Sequence, residues 1–330
     1  MPPSRAERSY VASGCAQNCR VDGRARADHR ALSVELRVAP SAHGSAAVAL
    51  GHGANATRCV AAVRADVTAI REGDRGDVGR VVVRVDASGA VRDGRTRGGR
   101  ARAENLGGTL ARALESVVLG REARMEEDEE GDGVGGGLEG GGEGGIDLRA
   151  LCVRPGKARW TLTVDAACAC DRGSMLDALS VAVRAALADC RLPKVTMTGV
   201  GSDGEGGELE IDDDPEACSR IDVSRCGVVV TTTKIGKHAV IDATDEEEAC
   251  ADASISVGVD REGTICGEFS SGGETLDRGS AEAMRKLACK VGAELIEAVD
   301  AYLATAIAGA DESDEDEDDR VMVVKVPRLQ

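Results

Sequence analysis

Five carboxylates crowd residues 242–252: Asp242, Glu246, Glu247, Glu248 and Asp252. Acids grouped this closely can hold Mg²⁺ or protonate a leaving oxygen. The same residues suit a solvated turn between two strands. With no base or nucleophile beside them in the chain, the turn is the reading they favour. A second cluster is basic. Arg92, Arg95, Arg97, Arg100, Arg102 and Arg112 fall in one 21-residue window that leads into a helix. Guanidinium groups grip phosphate bidentately, and a helix N-terminus adds backbone N–H donors and partial positive charge. The strip reads as a phosphate-contacting surface or as an exposed loop.

Other chemistries lack their residues. The 12 Cys include no CxxC pair and there are only 4 His, so a zinc site and a metal in general are not expected. The His are far apart in the chain and none adjoins a Ser or Cys motif, which leaves a nucleophilic triad unsupported. The glycine-rich stretches contain no GK[ST] and open no βαβ unit, so neither a P-loop nor a dinucleotide site is present, and no cofactor is expected. Tyr10, Trp160, Phe269 and Tyr302 are the only aromatic residues. Four rings do not furnish the base-stacking platform of an RNA-recognition motif or an oligonucleotide-binding barrel.

The net charge of −17 is unevenly spread. Residues 1–124 carry 21 Arg, no Lys and 13 acids, a net +8; residues 125–145 carry −8, residues 146–309 carry −12 and residues 310–330 carry −5. A phosphate-binding surface therefore belongs in the first 124 residues. Cys59, Cys168 and Cys266 sit in apolar runs, where free thiols act as small hydrophobes, and this fits a reducing compartment. Residues 1–10 show no apolar signal core, and no apolar run approaches the ~20 residues that cross a bilayer. The expectation is a soluble nuclear or cytosolic protein with no membrane partner.

The elements that must position these clusters follow from periodicity. Leu32, Val34, Leu36 and Val38 alternate with polar residues, as a half-buried strand does. Residues 45–50 and 57–67 flank Gly51-His52-Gly53-Ala54-Asn55 and read as a hairpin. Residues 80–85 make a fourth strand. Leu106, Leu110, Leu114 and Val118 mark a helix that begins around Glu104, with Gly107-Gly108 weakening its first turn. Two strands, 146–153 and 159–167, precede a helix that opens with the capping pattern Ser174-Met175-Leu176-Asp177 and ends near Asp189. Residues 193–198 are a further strand. Four more strands (227–234, 238–243, 254–260 and 263–269) precede a long helix from Ser280 to about Ala306. Strands followed by a helix, twice over, predict an α+β fold of two related units.

Three stretches in order resemble the RNase PH family, specifically non-catalytic ring subunits of the eukaryotic RNA exosome, the type paired with the catalytic subunit in archaeal rings. The first is Val21-Asp22-Gly23-Arg24 with Asp28-His29-Arg30 and His43-Gly44-Ser45-Ala46. The second runs from Leu151-Cys152-Val153-Arg154-Pro155-Gly156-Lys157 through Trp160-Thr161-Leu162-Thr163-Val164-Asp165 and residues 177–187 to Leu192-Pro193-Lys194-Val195. The third is Lys234-Ile235-Gly236, Val240-Ile241-Asp242-Ala243-Thr244 and Glu246-Glu247-Glu248-Ala249. The resemblance implies an RNase PH-like fold of two related βα units with mixed sheets and packed helices, six such chains forming a ring around an RNA channel. Phosphorolysis in the family needs phosphate held by Arg and a Gly/Ser turn, and an acid to help the 3′ oxygen leave. Active members carry an Asp about twelve residues after the one Asp242 matches; here that position is Ser254, and Asp252 would share its strand face in a shifted register. They also pair two Arg before a Glu; here Arg100 and Glu104 fit, but Ala101 takes the second position.

The resemblance thus implies an inactive homologue with no catalytic residues of its own, a structural subunit supporting 3′→5′ RNA processing and degradation. Its expected partners are other RNase PH-like ring subunits, cap subunits and single-stranded RNA, in nucleus, nucleolus and cytoplasm. An active phosphate-dependent 3′→5′ exoribonuclease is the alternative. Arg95, Arg97, Arg100 and Arg112 are the expected RNA contacts. The expected organisation is a loose N-terminal extension (1–30), a first RNase PH-like domain (31–198) with a disordered acidic, Gly-rich insertion (125–145), an acidic Gly-rich linker (199–219), a second such domain (220–308) and an acidic disordered tail (309–330).

Overall fold

The computed structural model describes residues 3–71, 73–91, 97–120, 145–198, 208–212, 214, 217–272, 276–312 and 321–324. Alternation builds the first sheet. Leu32–Leu36 (β1) buries Leu32, Val34 and Leu36 and leaves Ser33 and Glu35 partly exposed. Gly44–Leu50 (β2) and Thr57–Ala69 (β3) form the expected hairpin, whose turn places Gly51 at φ 100°. Cys152–Arg154 (β5) is short, and Ala158–Cys170 (β6) pairs antiparallel along β3 with Trp160, Leu162 and Val164 buried. Arg80–Asp86 (β4) lies beyond β6 and parallel to it. A parallel neighbour needs a crossover. Arg97–Leu119 (α2) lies in that connection.

This helix begins at Arg97, well before Glu104. The glycine expected to weaken it is a contact point: a Cβ on Gly107 would lie 2.3 Å from the Val85 carbonyl oxygen. Met175–Asp189 (α3) is apolar on nearly every side, the pattern of a helix with no wet face. Every residue from Asp177 to Asp189 is buried. On one side it meets β2 and β3, on the other the second sheet. That sheet has the order β12-β11-β13-β14, from Val228–Ile235 (β11), His238–Ile241 (β12), Ala253–Val259 (β13) and Ile265–Gly272 (β14). Arg278–Glu312 (α5) covers its far face with Met284, Ala288, Val291 and Leu295. Arg184, fully buried in α3, bonds Asp300 of α5 at 2.7 Å and the Cys226 carbonyl, tying the two units together.

The fold is the α+β, RNase PH-like arrangement expected, with differences at the margins. The N-terminal residues are not loose: Arg5–Ala16 (α1) is capped by Ser4 and Glu7 and packs Val11 and Cys15 against Ile235, Val240 and Cys250. Its apolar residues are few, so its stripe does not stand out in the sequence. Within the expected linker, Glu208–Ile211 (β9) pairs with Val195–Thr198 (β8). In the expected tail, Val321–Val324 (β15) adds an edge strand to β1. Edge pairing satisfies backbone groups whatever the side chains, so composition does not announce it. Residues 125–144 of the expected insertion lie outside the described residues. No helix among the described residues is long and apolar enough to cross a membrane.

Candidate functional site

The chain leaves β6 through Asp171-Arg172-Gly173-Ser174 and enters α3 on left-handed backbone, Gly173 at φ 92° and Ser174 at φ 53°. A helix start preceded by a Gly–Ser pair is a ready anion site. Here its donors are spent. The Ser174 N–H donates to Glu248 Oε1 at 2.7 Å, the Ser174 hydroxyl to the Ala243 carbonyl at 3.2 Å, and the Gly173 N–H to Asp171 Oδ1 at 2.9 Å. The capping pattern expected at Ser174–Asp177 does not form: left-handed Ser174 makes no side-chain cap. Asp177 turns inward instead and accepts from the Thr231 N–H (2.9 Å) and hydroxyl (2.5 Å).

Glu248 comes from Asp245–Ala249 (α4), the short helix that holds most of the carboxylate cluster. That cluster is not a solvated turn. Asp242 is fully buried at φ 49° and receives Arg30 (Nη2 to Oδ1, 2.7 Å; backbone N–H to Oδ2, 2.7 Å) and Arg24 (Nη1 to Oδ2, 2.9 Å). Glu247 is buried and bridged by both arms of Arg20, which also binds the Ile241 and Asp242 carbonyls at 2.8 Å. Arg30 reaches further, to the Arg172 and Gly173 carbonyls at 3.0 and 2.9 Å. Three arginines from residues 20–30 therefore clamp the β12–α4 turn to the start of α3. This is a structural joint, since every buried charge in it has partners.

The joint splits the carboxylates electrostatically. Burial works against ionisation of Asp242, yet His29, Arg30 and Arg24 outweigh it and hold the carboxyl well below its usual range. Loss of hydration pushes fully buried Asp177 up to about 8, against its Thr231 hydrogen bonds. Glu248 is pushed up to about 7, first by loss of hydration and then by Asp171; solvent access to this exposed residue tempers that rise. No group of three His, Cys, Asp or Glu among the described residues is arranged to hold a metal ion.

Ser254 lies on β13 opposite Thr233 and Ser271, and its hydroxyl bonds that of Ser271 at 2.8 Å. Asp252 does not share the strand face. It precedes β13, and its Oδ2 accepts the Gly236 N–H at 2.7 Å, capping the β11–β12 turn.

Of the four expected RNA contacts, Arg95 lies outside the described residues. Arg97, Arg100 and Arg112 are exposed on α2, with Arg112 Nε reaching the Gly108 carbonyl at 3.3 Å. At 100° per residue these three fall within an arc of about 120°, from which Arg102 points away. Arg100 and Glu104 flank a small cleft of about 270 Å³ with Asp86 and Ser88, at the end of β4. Gly89 packs there against the Cys168 and Ala169 carbonyls, where β6 runs out toward α3. The arginine strip and the Ser174 turn thus occupy the same end of the sheet.

Two family models match the chain: domain 1 of the 3′ exoribonuclease (RNase PH) family over residues 28–193, and domain 2 over residues 228–291. The chain belongs to the RNase PH family. Among curated relatives, RRP42 of the exosome complex in Dictyostelium discoideum is 36% identical over 148 residues, 45% of this chain and 45% of that protein. In Aeropyrum pernix, Rrp42 is 34% identical over 144 residues, 48% of its length. The chain thus spans about half the length of these two. The match to Rrp42 of Sulfurisphaera tokodaii is 28% identical over 294 residues, 89% of this chain and 93% of the relative. Two solved structures share the fold: an archaeal exosome core (TM-score 0.63, 22% identity, 89% of this chain, 96% of that one) and an Archaeoglobus fulgidus exosome with RNA bound to the active site (TM-score 0.62, 24% identity, 88% and 97%). In this RNase PH chain, Arg20, Arg24 and Arg30 are the important side chains that reading the acid cluster alone passed over. Their signal was present in the first and third resembling stretches, but nothing local links positions more than 200 residues apart.

Proposed function

We propose that the chain is a non-catalytic structural subunit of an RNA exosome ring. It supports 3′→5′ processing and degradation of RNA, including rRNA maturation, by completing the ring beside other RNase PH-like subunits, meeting cap subunits and lining the channel for single-stranded RNA. The observation that carries this reading is the helix start at Ser174, where an anion's donors are already taken by Glu248 and Ala243. Two further features support it. Ser254 stands where the resemblance expects an acid, and a hydroxyl does not act as a general acid near neutral pH. Asp252 is committed to the Gly236 turn. Arg97, Arg100 and Arg112, with Arg95, then serve as backbone-phosphate contacts that carry no base information.

The alternative, a phosphate-dependent exoribonuclease, draws on one observation: Glu248, pushed up to about 7 beside Ser174, has the proton affinity of a general acid. Affinity purification of the tagged full chain separates the two. Near-equal recovery of other RNase PH-like subunits, with no phosphate-dependent RNA shortening by the chain freed from them, is expected. A stable monomer at micromolar concentration that ignores those subunits contradicts the ring reading.

A further inference from the structure

A cleft of about 590 Å³ opens beside the arginine joint, lined by Asp22, Arg24, His29, Asn55, Asp245 and Glu246 among others. It plays no part in the function proposed above. The His29 side chain is 3% exposed, and its Nε2 is buried with no hydrogen-bond partner among the described residues. The other ring nitrogen, Nδ1, lies 3.0 Å from the Arg30 carbonyl. A carbonyl only accepts, so Nδ1 carries the proton and neutral His29 presents at Nε2 a bare lone pair that needs a donor.

The charges around the cleft say what kind of donor. Its cations are engaged: Arg24 by Asp22 (2.6 Å) and Asp242 (2.9 Å), Arg30 by Asp242 (2.7 Å), and partly exposed Arg172 by Asp245 (3.4 Å). Glu246 is exposed, and no hydrogen bond or ion pair engages its carboxylate among the described residues. A lone pair facing a spare carboxylate complements a group with several N–H bonds and positive charge. A phosphate would meet Asp22, Asp245, Glu246 and the lone pair instead. At the rim, Val21 is 51% exposed, an apolar contact suited to a polypeptide.

We propose that this cleft receives a basic side chain, a guanidinium or ammonium group, from a partner protein. Protonating His29 turns its acceptor into a charged donor, so binding weakens in acid. The groups that face His29 from the surrounding elements are Asp22, Arg24 and Arg30 on its own segment, Asp242 and Glu247 from the β12–α4 turn, His52 from the β2–β3 turn, and Arg172 before α3. Only His52 shares the titration range of an imidazole.

The test is an NMR titration of the full chain with a blocked peptide bearing one arginine, the same peptide with citrulline, and inorganic phosphate. The arginine peptide is expected to bind, with the citrulline peptide weaker by about tenfold. Exposed Glu246→Gln, which leaves the joint intact, is expected to weaken the arginine peptide several-fold. Binding should fall between about pH 7.5 and about pH 5.5, in His52→Gln as in the unaltered chain. Phosphate binding that strengthens in acid would make the cleft an anion site and overturn the proposal. So would equal binding of the arginine and citrulline peptides, or none by the arginine peptide.

Discussion

Residues 20–30 and residues 97–112 are both rich in arginine, and the fold treats them in opposite ways. In the first, Arg20 and Arg30 are buried, Arg24 is nearly so, and each is consumed by a carboxylate and by carbonyls of residues 241–242 or 172–173. In the second, Arg97, Arg100, Arg102 and Arg112 stand in solvent along a helix. The same guanidinium is a rivet where it is dry and has partners, and a sticky surface where it is wet. Counting arginines locates both regions without telling them apart.

The sharpest way to break the comparison is to shorten one arginine from each. Arg20→Ala leaves Glu247 buried and unpaired, and should cost about 3–5 kcal/mol in denaturant unfolding. Arg97→Ala should cost less than about 0.5 kcal/mol. Equal losses would mean that the joint is not structural. Asp242 tests the same joint by pH. Its carboxyl is depressed, so the stability it contributes is present above the ordinary carboxylate value and is lost as pH falls through the folded one. Acid unfolding of Asp242→Asn should lack that component, on a baseline already lowered.

A second variant sharpens the contrast between an acid buried with arginine and one buried without. Asp177, pushed up to about 8, favours the folded chain only while protonated, so its contribution fades as pH rises from the ordinary carboxylate value to about 8. Asp177→Asn should flatten this decline, a gain of about 1–3 kcal/mol near neutrality in chemical unfolding. A stability profile with the same slope as the unaltered chain would sink this.

The exposed strip is tested by binding. Replacing Arg95, Arg97, Arg100 and Arg112 by Ala should weaken single-strand RNA binding by the assembled ring about equally for different sequences. The log–log salt slope should flatten by about 0.7 for each phosphate no longer neutralised, with assembly intact. Lys286 and Lys290 on α5, the first already paired with Glu282, are controls expected to do little. An unchanged slope in the Arg variant would reduce the strip to an ordinary surface.

Much of this fold was legible because its signals are local. Alternation gave β1, the Gly51 turn gave the β2–β3 hairpin, and apolar spacing gave α2, α3 and α5. What escaped depends on distance or on backbone conformation. The five acids of residues 242–252 read as a solvated turn because their cations lie more than 200 residues earlier. Ser174 looked like a cap because left-handed backbone at a serine leaves no mark in sequence. Asp252 looked available because the N–H that it caps, on Gly236, belongs to another turn.

The central claim is that the Ser174 turn is chemically silent. Its most direct test is release of nucleoside diphosphate from 3′-labelled single-stranded RNA in inorganic phosphate, by the purified chain and by rings whose other subunits are inactivated. The account expects no diphosphate above the protein-free blank in either sample. Diphosphate release that disappears in Glu248→Gln or Asp252→Ala would contradict it and make this chain a phosphorolytic enzyme.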